Sequence, residues 1–276
     1  MNMVSILVQF VFPQPPSVLL NAMSVIYLAS SAIGGLSELR GNNMPYSKFL
    51  NLTNDSQKQF LAKERKKGTT NVPSRWGMLI CYTPAFLASV AMFSLFPHDS
   101  IRMLLLKSAL AFHFFKRVFE VSFVHKYSSN IVLSTAIIIS INYLSNTTSM
   151  VYAQYLSQGL VEPPSDLKYI GFLLFLIGIS GNFYHHCLLS QLREKGEKKY
   201  KIPSGGLFGL VICPHYLFEI IEFLGFSFIS QTLHALSVSI GTMLYLVGRS
   251  YATRQWYLSK QDDFPLDVKA LIPYLF

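Results

Sequence analysis

Charged residues are scarce in this chain of 276 residues. They make up 13% of it, against roughly a quarter in typical soluble domains. Hydrophobic residues make up 51%, and the mean hydropathy is +0.37. This composition excludes an ordinary soluble enzyme and predicts a membrane protein. The length suits about seven helices of ~20 residues joined by short loops, so we expect a single domain over residues 1–276.

Cysteine is rare as well. Cys81, Cys187 and Cys213 all lie in apolar segments, without the spacing of a metal site, and we expect them to be small buried side chains. The adjacent His185 and His186 do not form a metal pair, because neighbouring helical residues point about 100° apart. The sequence therefore predicts no metal site.

Acidic residues are fewer than basic ones, 14 against 23, which gives a formal net charge of +9. Such a charge can indicate nucleic-acid binding, but here the basic residues cluster in a few loops instead of covering one soluble face. In a membrane protein, clustered Lys and Arg report orientation and contact with anionic lipid headgroups. We therefore expect membrane lipids as partners and no nucleic acid.

Long apolar windows predict an all-α bundle of seven transmembrane helices. The predicted spans are residues 17–36, 77–97, 101–124, 131–157, 169–190, 206–230 and 232–252. The fourth contains Asn142 and Asn146, and we expect it to be tilted or interrupted.

Basic residues, Lys48, Lys126 and Lys201 among them, concentrate in the loops after the first, third and fifth spans and in the tail. The positive-inside rule then predicts a lumenal N-terminus and a cytosolic C-terminus. An odd number of spans agrees with this orientation.

Several ionisable and polar groups lie inside the predicted spans or just beyond their ends; ionisable groups inside a membrane are costly and indicate function by default. Their spacings keep each set on one helical face, and the predicted topology brings them to a polar chamber open to the cytosol. Arginine suits phosphate groups, because its guanidinium is planar and always charged. The alternative is that they form ion pairs between helices, such as Arg117 with Glu219. The set is Lys116, Arg117, Glu120, Asn182, His186, Arg193, His215, Glu219, Glu222, Arg249, Thr253 and Tyr257.

The last third of the chain carries several motifs in order. They are YKIPSGGLF at residues 200–208, CPHY at 213–216 followed by Glu219, Arg249 with Tyr257 eight residues later, and KALIP at 269–273. Together they resemble the steroid 5α-reductase family, most densely over residues 169–276. The resemblance implies an all-helical fold in the endoplasmic reticulum membrane, without a Rossmann domain. It also implies an active site that uses NADPH directly, without a flavin.

In that family a hydride goes to the β-carbon of an enone or enoyl thioester, and a proton is added at the α-carbon. The resemblance makes residues 127–276 the NADPH-binding portion. Seven matching positions surround the cofactor, and the arginine argument above adds Arg117. The seven are Asn182, His186, Arg193, His215, Glu219, Arg249 and Tyr257. His186 and Thr253 differ from the residues common in the animal steroid enzymes.

Other positions depart from the animal steroid enzymes, which present a Glu and a Tyr to the substrate ketone. This chain has Tyr82 and Phe114 there, so that clamp is not reproduced. Residues 113–125, 181–183 and 213–216 instead resemble the trans-2-enoyl-CoA reductase branch, in which a tyrosine matching Tyr216 looks like the proton donor. A phenol bonded to the carbonyl oxygen can stabilise an enolate and supply a proton. Tyr216 and Tyr82 are therefore the expected catalytic residues.

The expected function is an NADPH-dependent reductase that saturates a C=C bond conjugated to a carbonyl in a lipid substrate. A 3-oxo-Δ4-steroid is the first expectation. A trans-2-enoyl-CoA of very-long-chain fatty acid elongation is the alternative, with Lys63 to Lys67 available for the CoA phosphates. A polyprenol-type reductase remains open because the CPHY motif occurs in that branch too. Loss of the ketone clamp leaves a catalytically idle lipid-binding relative as a further alternative.

Overall fold

The computed structural model describes residues 9–13, 15, 17–44, 46–49, 70–96, 100–192 and 200–276. Seven long helices dominate these ranges, which confirms the prediction of a helical bundle. They are α1 (Val18–Leu39), α2 (Ser74–Leu95), α3 (Ile101–Phe119), α4 (Leu133–Leu156), α5 (Lys168–Gln191), α6 (Pro214–Ser230) and α7 (Leu233–Lys260). The predicted site residue Arg193 and the basic run from Lys63 to Lys67 lie outside the described residues.

Local chemistry sets where several helices begin. Ser17, Ser100 and Thr232 precede α1, α3 and α7, and each accepts a hydrogen bond from the backbone N–H three residues on, at 3.3, 3.2 and 3.3 Å. Such caps satisfy one of the free N–H groups at a helix start. Pro214 is the first residue of α6, where a missing N–H costs nothing.

The sixth predicted helix, 206–230, was placed too early, since α6 begins only at Pro214. Gly205 and Gly206 have φ angles of 84° and 52°, which an α-helix does not accommodate. Residues 206–209 form a short 3-10 turn instead. The apolar run that follows is buried by packing, because Val211 forms a bridge with Lys269 of the tail.

The seventh predicted span also needs correction, and of the two expectations for the fourth, tilted or interrupted, the structure excludes the interruption. Helix α4 runs from Leu133 to Leu156 without interruption, because its polar groups bond within the helix. The Thr147 hydroxyl, for example, donates to the carbonyl four residues earlier at 2.8 Å. Helix α7 continues to Lys260 instead of ending at residue 252, so its polar last turns remain helical.

The outward faces of the helices are apolar, as expected of a surface that meets lipid. On α1, Val18, Val25 and Ile33 are 86%, 67% and 67% exposed. Among the described helices, α1, α2 and α5 are long and apolar enough to cross a membrane. The main core is apolar too and includes Met103 and Phe226, both at most 1% exposed.

Two short strands tie the starts of α2 and α4 together. Strand β1 (Asn71–Pro73) pairs antiparallel with β2 (Asn130–Val132), with Val72 opposite Ile131. A π-helical turn, Glu120–Val124, extends α3. These elements lie at the end of the bundle that carries the candidate site.

Candidate active site

A cavity of about 280 Å³ lies where the ends of the seven helices meet. The starts of α2 and α6, the ends of α5 and α7, the segment after α1 and the segment between α3 and α4 all contribute to it. Because consecutive helices present opposite ends to one space, they alternate in direction. Residues lining the cavity include Tyr46, Lys48, Ser74, Met78, His125, Lys126, Tyr127, Ser190, Tyr200, Lys201, His215, Tyr216, Thr253 and Tyr257.

Three lysines from separate segments contribute to the cavity walls: Lys48, Lys126 and Lys201. The ammonium nitrogen of Lys48 lies 4.7 Å from the centroid of the Tyr257 ring. The Tyr257 hydroxyl in turn donates to the backbone carbonyl of Lys201 at 3.3 Å. Sequence reasoning counted these lysines only as orientation charges. Their common place beyond helix ends on one side of the bundle was the available signal.

His215 and Tyr216, from the first turn of α6, line the same cavity. The tail holds this turn in place, since the N–H of Cys213 donates to the carbonyl of Ala270 at 3.2 Å. The two rings lie 4.3 Å apart. The Nδ1 atom of His215 is buried and has no hydrogen-bond partner among the described residues. An orphaned polar atom in a cavity wall points to a ligand.

Behind the cavity wall, Arg117 of α3 connects Tyr82, Glu120 and His186; we call these four residues the Arg117 network. One guanidinium nitrogen donates to the Tyr82 hydroxyl. The other donates to Oε2 of Glu120 at 3.0 Å and lies 3.3 Å from Nδ1 of His186. The carboxylate that pairs with Arg117 is thus that of Glu120, three residues along the chain. The ion pair considered as an alternative in the sequence analysis had Glu219 as the partner instead.

The π-helical turn brings His125 back towards Glu120. The His125 N–H donates to the Glu120 carbonyl at 2.7 Å, a bond across five residues. Its Nε2 atom lies 3.9 Å from Oε2 of Glu120. Burial, together with the nearby His186 and Arg117, lowers the pKa of His125 to about 3. The His125 ring is therefore neutral at physiological pH.

The ligand atoms of Glu120, His125 and His186 all lie within 4.8 Å of one another, a spacing that could hold a metal ion. Two positively charged side chains already pair with the carboxylate of Glu120, however. Lys116 lies 3.5 Å and Arg117 3.0 Å from its oxygens. A divalent cation would be repelled by both, so we assign the cluster to ion pairing.

Asn182 of α5 is 1% exposed and connects three helices. Its side-chain nitrogen donates to the carbonyl of His215 at 2.8 Å, and its oxygen accepts from Lys116. His186, 5% exposed, lies in the Arg117 network one turn further along α5. Both predicted cofactor residues thus support the wall that carries His215.

Arg249 of α7 is 2% exposed, and one of its guanidinium nitrogens lies 2.8 and 3.0 Å from the two carboxylate oxygens of Glu38. The rings of Tyr46 and Phe49 lie 4.2 and 4.0 Å from the guanidinium carbon. Arg249 thereby holds the segment that brings Tyr46 and Lys48 to the cavity. Sequence reasoning missed Glu38, although a carboxylate near the end of an apolar helix was a signal.

The two glutamates of α6 have different surroundings. Glu219 is 9% exposed and is close enough to act electrostatically on Arg117, Tyr82 and Tyr216. Glu222 is fully buried, and one of its carboxylate oxygens lies 2.6 Å from Nδ1 of His113 on α3. Glu222 therefore links α3 and α6, whereas no hydrogen bond or ion pair of Glu219 occurs among the described residues.

The fold and this site define a helical membrane protein with a polar, lysine-lined site at one end of its bundle. The profile of the family described as 3-oxo-5-alpha-steroid 4-dehydrogenase matches residues 125–276, which is more than half of the chain. The chain belongs to this family.

Relatives from animals and from Dictyostelium discoideum are similar to this chain in sequence. The 3-oxo-5-alpha-steroid 4-dehydrogenase 2 of Mus musculus is 30% identical over 76% of this chain and 84% of its own length. The Homo sapiens protein of the same description is 28% identical over the same shares. A very-long-chain enoyl-CoA reductase of Dictyostelium discoideum is 33% identical over 59% of this chain and 55% of its own. Together these relatives identify a membrane reductase.

Proposed function

We propose that this chain is an NADPH-dependent reductase that saturates a C=C bond conjugated to a carbonyl in a lipid substrate. The observation that carries the proposal is the lysine-lined cavity, with Tyr216 and the orphaned His215 nitrogen in its wall. A phosphate-bearing cofactor suits the lysines, and an oxygen of a ligand suits the phenol. The family membership supports the same reaction class.

The residues at the cavity fit a nicotinamide dinucleotide phosphate. Lys48, Lys126 and Lys201 would meet its phosphates, and Tyr257 offers an aromatic face near Lys48. The buried His215 nitrogen would gain the partner that it lacks. When bound, NADPH supplies the hydride. Of the other predicted cofactor residues, Arg117, Asn182, His186 and Arg249 would hold the walls, Glu219 would face the reacting end, and Arg193 would add a further cation.

The tyrosines would act on the substrate carbonyl. Tyr216 lines the cavity beside His215, and Tyr82 lies behind the wall, bonded to Arg117. A phenol that donates to the carbonyl oxygen stabilises the negative charge that develops there as the β-carbon accepts a hydride. It can then supply the proton for the α-carbon.

The 3-oxo-Δ4-steroid is the proposed substrate class, in line with the relatives that cover most of their own length. A trans-2-enoyl-CoA is the second candidate, favoured by the Dictyostelium relative. The lysines at the cavity would suit the CoA phosphates in that case.

We further propose that all seven helices span the membrane of the endoplasmic reticulum as one domain, with residues 127–276 as the main cofactor-binding portion. The N-terminus would be lumenal, and the C-terminus and the cavity would face the cytosol. The alternating helix directions and the lysines at the cavity end support this orientation.

The test is NADPH oxidation by the purified full chain in detergent, with a 3-oxo-Δ4-steroid and a long-chain trans-2-enoyl-CoA offered separately. Turnover of the steroid alone supports the first candidate, and turnover of the thioester alone moves the assignment to the second. Tyr216→Phe should lower turnover by about 100-fold. The matched control is Tyr184→Phe, which removes the hydroxyl of a 51% exposed tyrosine. NADPH binding without turnover of either substrate would overturn the proposed reaction.

A further inference from the structure

The Arg117 network places a fixed cation directly against the hydroxyl of Tyr82. The guanidinium lies 4.6 Å from the centroid of the Tyr82 ring and donates to its oxygen. Arginine has only donors, so the Tyr82 oxygen must be the acceptor in this bond. The phenolic hydrogen of Tyr82 is therefore not used in this bond and can be donated to another group.

The position of Arg117 is fixed by Glu120. The two side chains are three residues apart, at 3.0 Å, and Glu120 is fully buried. Glu120 lies at the start of the π-helical turn, and its second oxygen lies 3.0 Å from Nδ1 of His186 on α5. Turns of this kind are rare and occur often at functional sites. The carboxylate thus prevents the guanidinium from turning away from Tyr82.

Tyr82 lies behind the cavity wall and is 3% exposed. Met78, one helical turn earlier on the same face of α2, lines the cavity. The Arg117 side chain keeps 12% of its surface exposed, whereas Glu120 keeps none. The role proposed next for Tyr82 requires a substrate carbonyl to pass Met78 and meet the Tyr82 hydroxyl.

We propose that Tyr82 is the catalytic acid of this site and that Arg117, held by Glu120, is the positioning residue that stabilises its phenolate. This proposal rests on the reductase function proposed above. It gives the two tyrosines different roles, because Tyr216 has no cation bonded to its hydroxyl among the described residues. It also gives Arg117 a role in proton transfer in place of phosphate binding.

The electron and proton balance is complete with the proposed cofactor. The β-carbon of the substrate accepts a hydride from NADPH, and the π electrons of the double bond move towards the carbonyl oxygen. Tyr82 donates a hydrogen bond to that oxygen and gives its proton to the α-carbon. Arg117 neutralises the phenolate until water returns a proton. The net reaction consumes one NADPH and one proton per saturated bond.

A double-mutant cycle on the full chain in detergent tests the coupling. We expect Tyr82→Phe to lower kcat by about 100-fold, with the Kd for NADPH changed by less than about threefold. Adding Arg117→Met to Tyr82→Phe should lower kcat little further, because both changes remove one unit. When Arg117→Met is combined with Tyr216→Phe, the fold-loss in kcat should instead equal the product of the two single losses.

A pH profile supplies a readout that a purely structural role would not move. The guanidinium stabilises the phenolate, and a lysine cannot bond Tyr82 and Glu120 at the same time. Arg117→Lys should therefore shift the basic limb of the pH profile of kcat to higher pH. Glu120→Gln should shift it in the same direction but less. Arg117→Lys should retain more activity than Arg117→Met. Tyr184→Phe is the matched control and should leave the profile unchanged.

Two kinds of failure can be told apart. A wild-type chain that turns over a substrate, with Tyr82→Phe retaining more than a third of kcat, overturns only the role of Tyr82. Multiplicative losses in the Tyr82 and Arg117 cycle overturn the coupling. If Arg117→Met does not yield folded protein, the kcat of Tyr82→Phe and the pH profile of Arg117→Lys still test the proposal. A wild-type chain without turnover overturns the proposed function and this proposal together.

Discussion

At the scale of single residues, Arg249 shows how a buried charge is held. Its partner Glu38 is 2% exposed, and the rings of Tyr46 and Phe49 flank its guanidinium. Neither charge could stay ionised alone in such surroundings. The pair thereby fixes the segment that follows α1, which carries Lys48 to the cavity.

Glu38→Gln should destabilise the protein strongly, because it leaves the Arg249 charge buried without a counter-ion. We expect a loss of about 3–5 kcal/mol in the free energy of unfolding, measured by denaturant titration in detergent, together with weaker NADPH binding. Glu162→Gln is the control, since its carboxylate is 62% exposed in an ion pair with Arg102 and should contribute about 0–1 kcal/mol. Equal losses in the two variants would contradict this account.

Single-residue chemistry could be predicted only in part. The chain order of motifs marked His215, Tyr216 and Tyr257, and all three line the cavity. It did not mark Lys48 or Lys126, because a lone lysine in a loop looks the same whether it faces a ligand or bulk water. Their place at the cavity depends on how distant segments pack, which no local pattern encodes.

At the scale of elements, the start of α6 shows where hydropathy misleads. The run from residue 207 to 212 is apolar enough to extend a membrane helix, yet it precedes α6. Gly205 and Gly206 break the helical backbone, and Pro214 begins a new helix. Phe208 and Val211 are at most 2% exposed, so their apolar character serves packing and not membrane crossing. Hydropathy alone does not distinguish these two uses.

Helices α5 and α6 pack closely because of Gly178. A Cβ atom added there would lie 2.5 Å from the backbone nitrogen of Glu222. Gly178→Ala should therefore push the helices apart and cost about 1–3 kcal/mol of stability, seen as a lower thermal midpoint in detergent. Gly209→Ala is the matched control, since nothing lies within 4 Å of its added Cβ, and it should change stability by less than about 0.5 kcal/mol. A Gly178→Ala protein as stable as the control would refute the close contact.

At the scale of the whole molecule, the seven helices were predictable because each apolar run is long and bounded by polar loops. Their convergence on one cavity was predictable only in outline, from the side on which the ionisable residues fall. The detailed partners were not, as Arg117 shows: its carboxylate is Glu120, three residues along the chain. Helical spacing allows that pair, but it does not decide between Glu120 and a carboxylate of another helix, because that choice depends on how the helices pack.

The proposed topology predicts which ends of the helices each compartment can reach. In sealed microsomes, Lys260→Cys at the end of α7 should react with a membrane-impermeant maleimide added outside. Val161→Cys, at an 80% exposed residue of the loop before α5, should react only after permeabilisation. The background chain would have Cys81, Cys187 and Cys213 replaced by Ala. Labelling of both positions from outside would exclude the proposed alternation.

The meeting of seven helix ends at one cavity has a consequence for lipid traffic. If the helices span the bilayer as proposed, the reacting groups serve a single monolayer. A substrate must then present its carbonyl from that leaflet, with its apolar body extending inwards among the helices. A lipid delivered to the opposite leaflet would have to cross the bilayer first, so transbilayer movement of the substrate, and not chemistry, could set the flux through the enzyme.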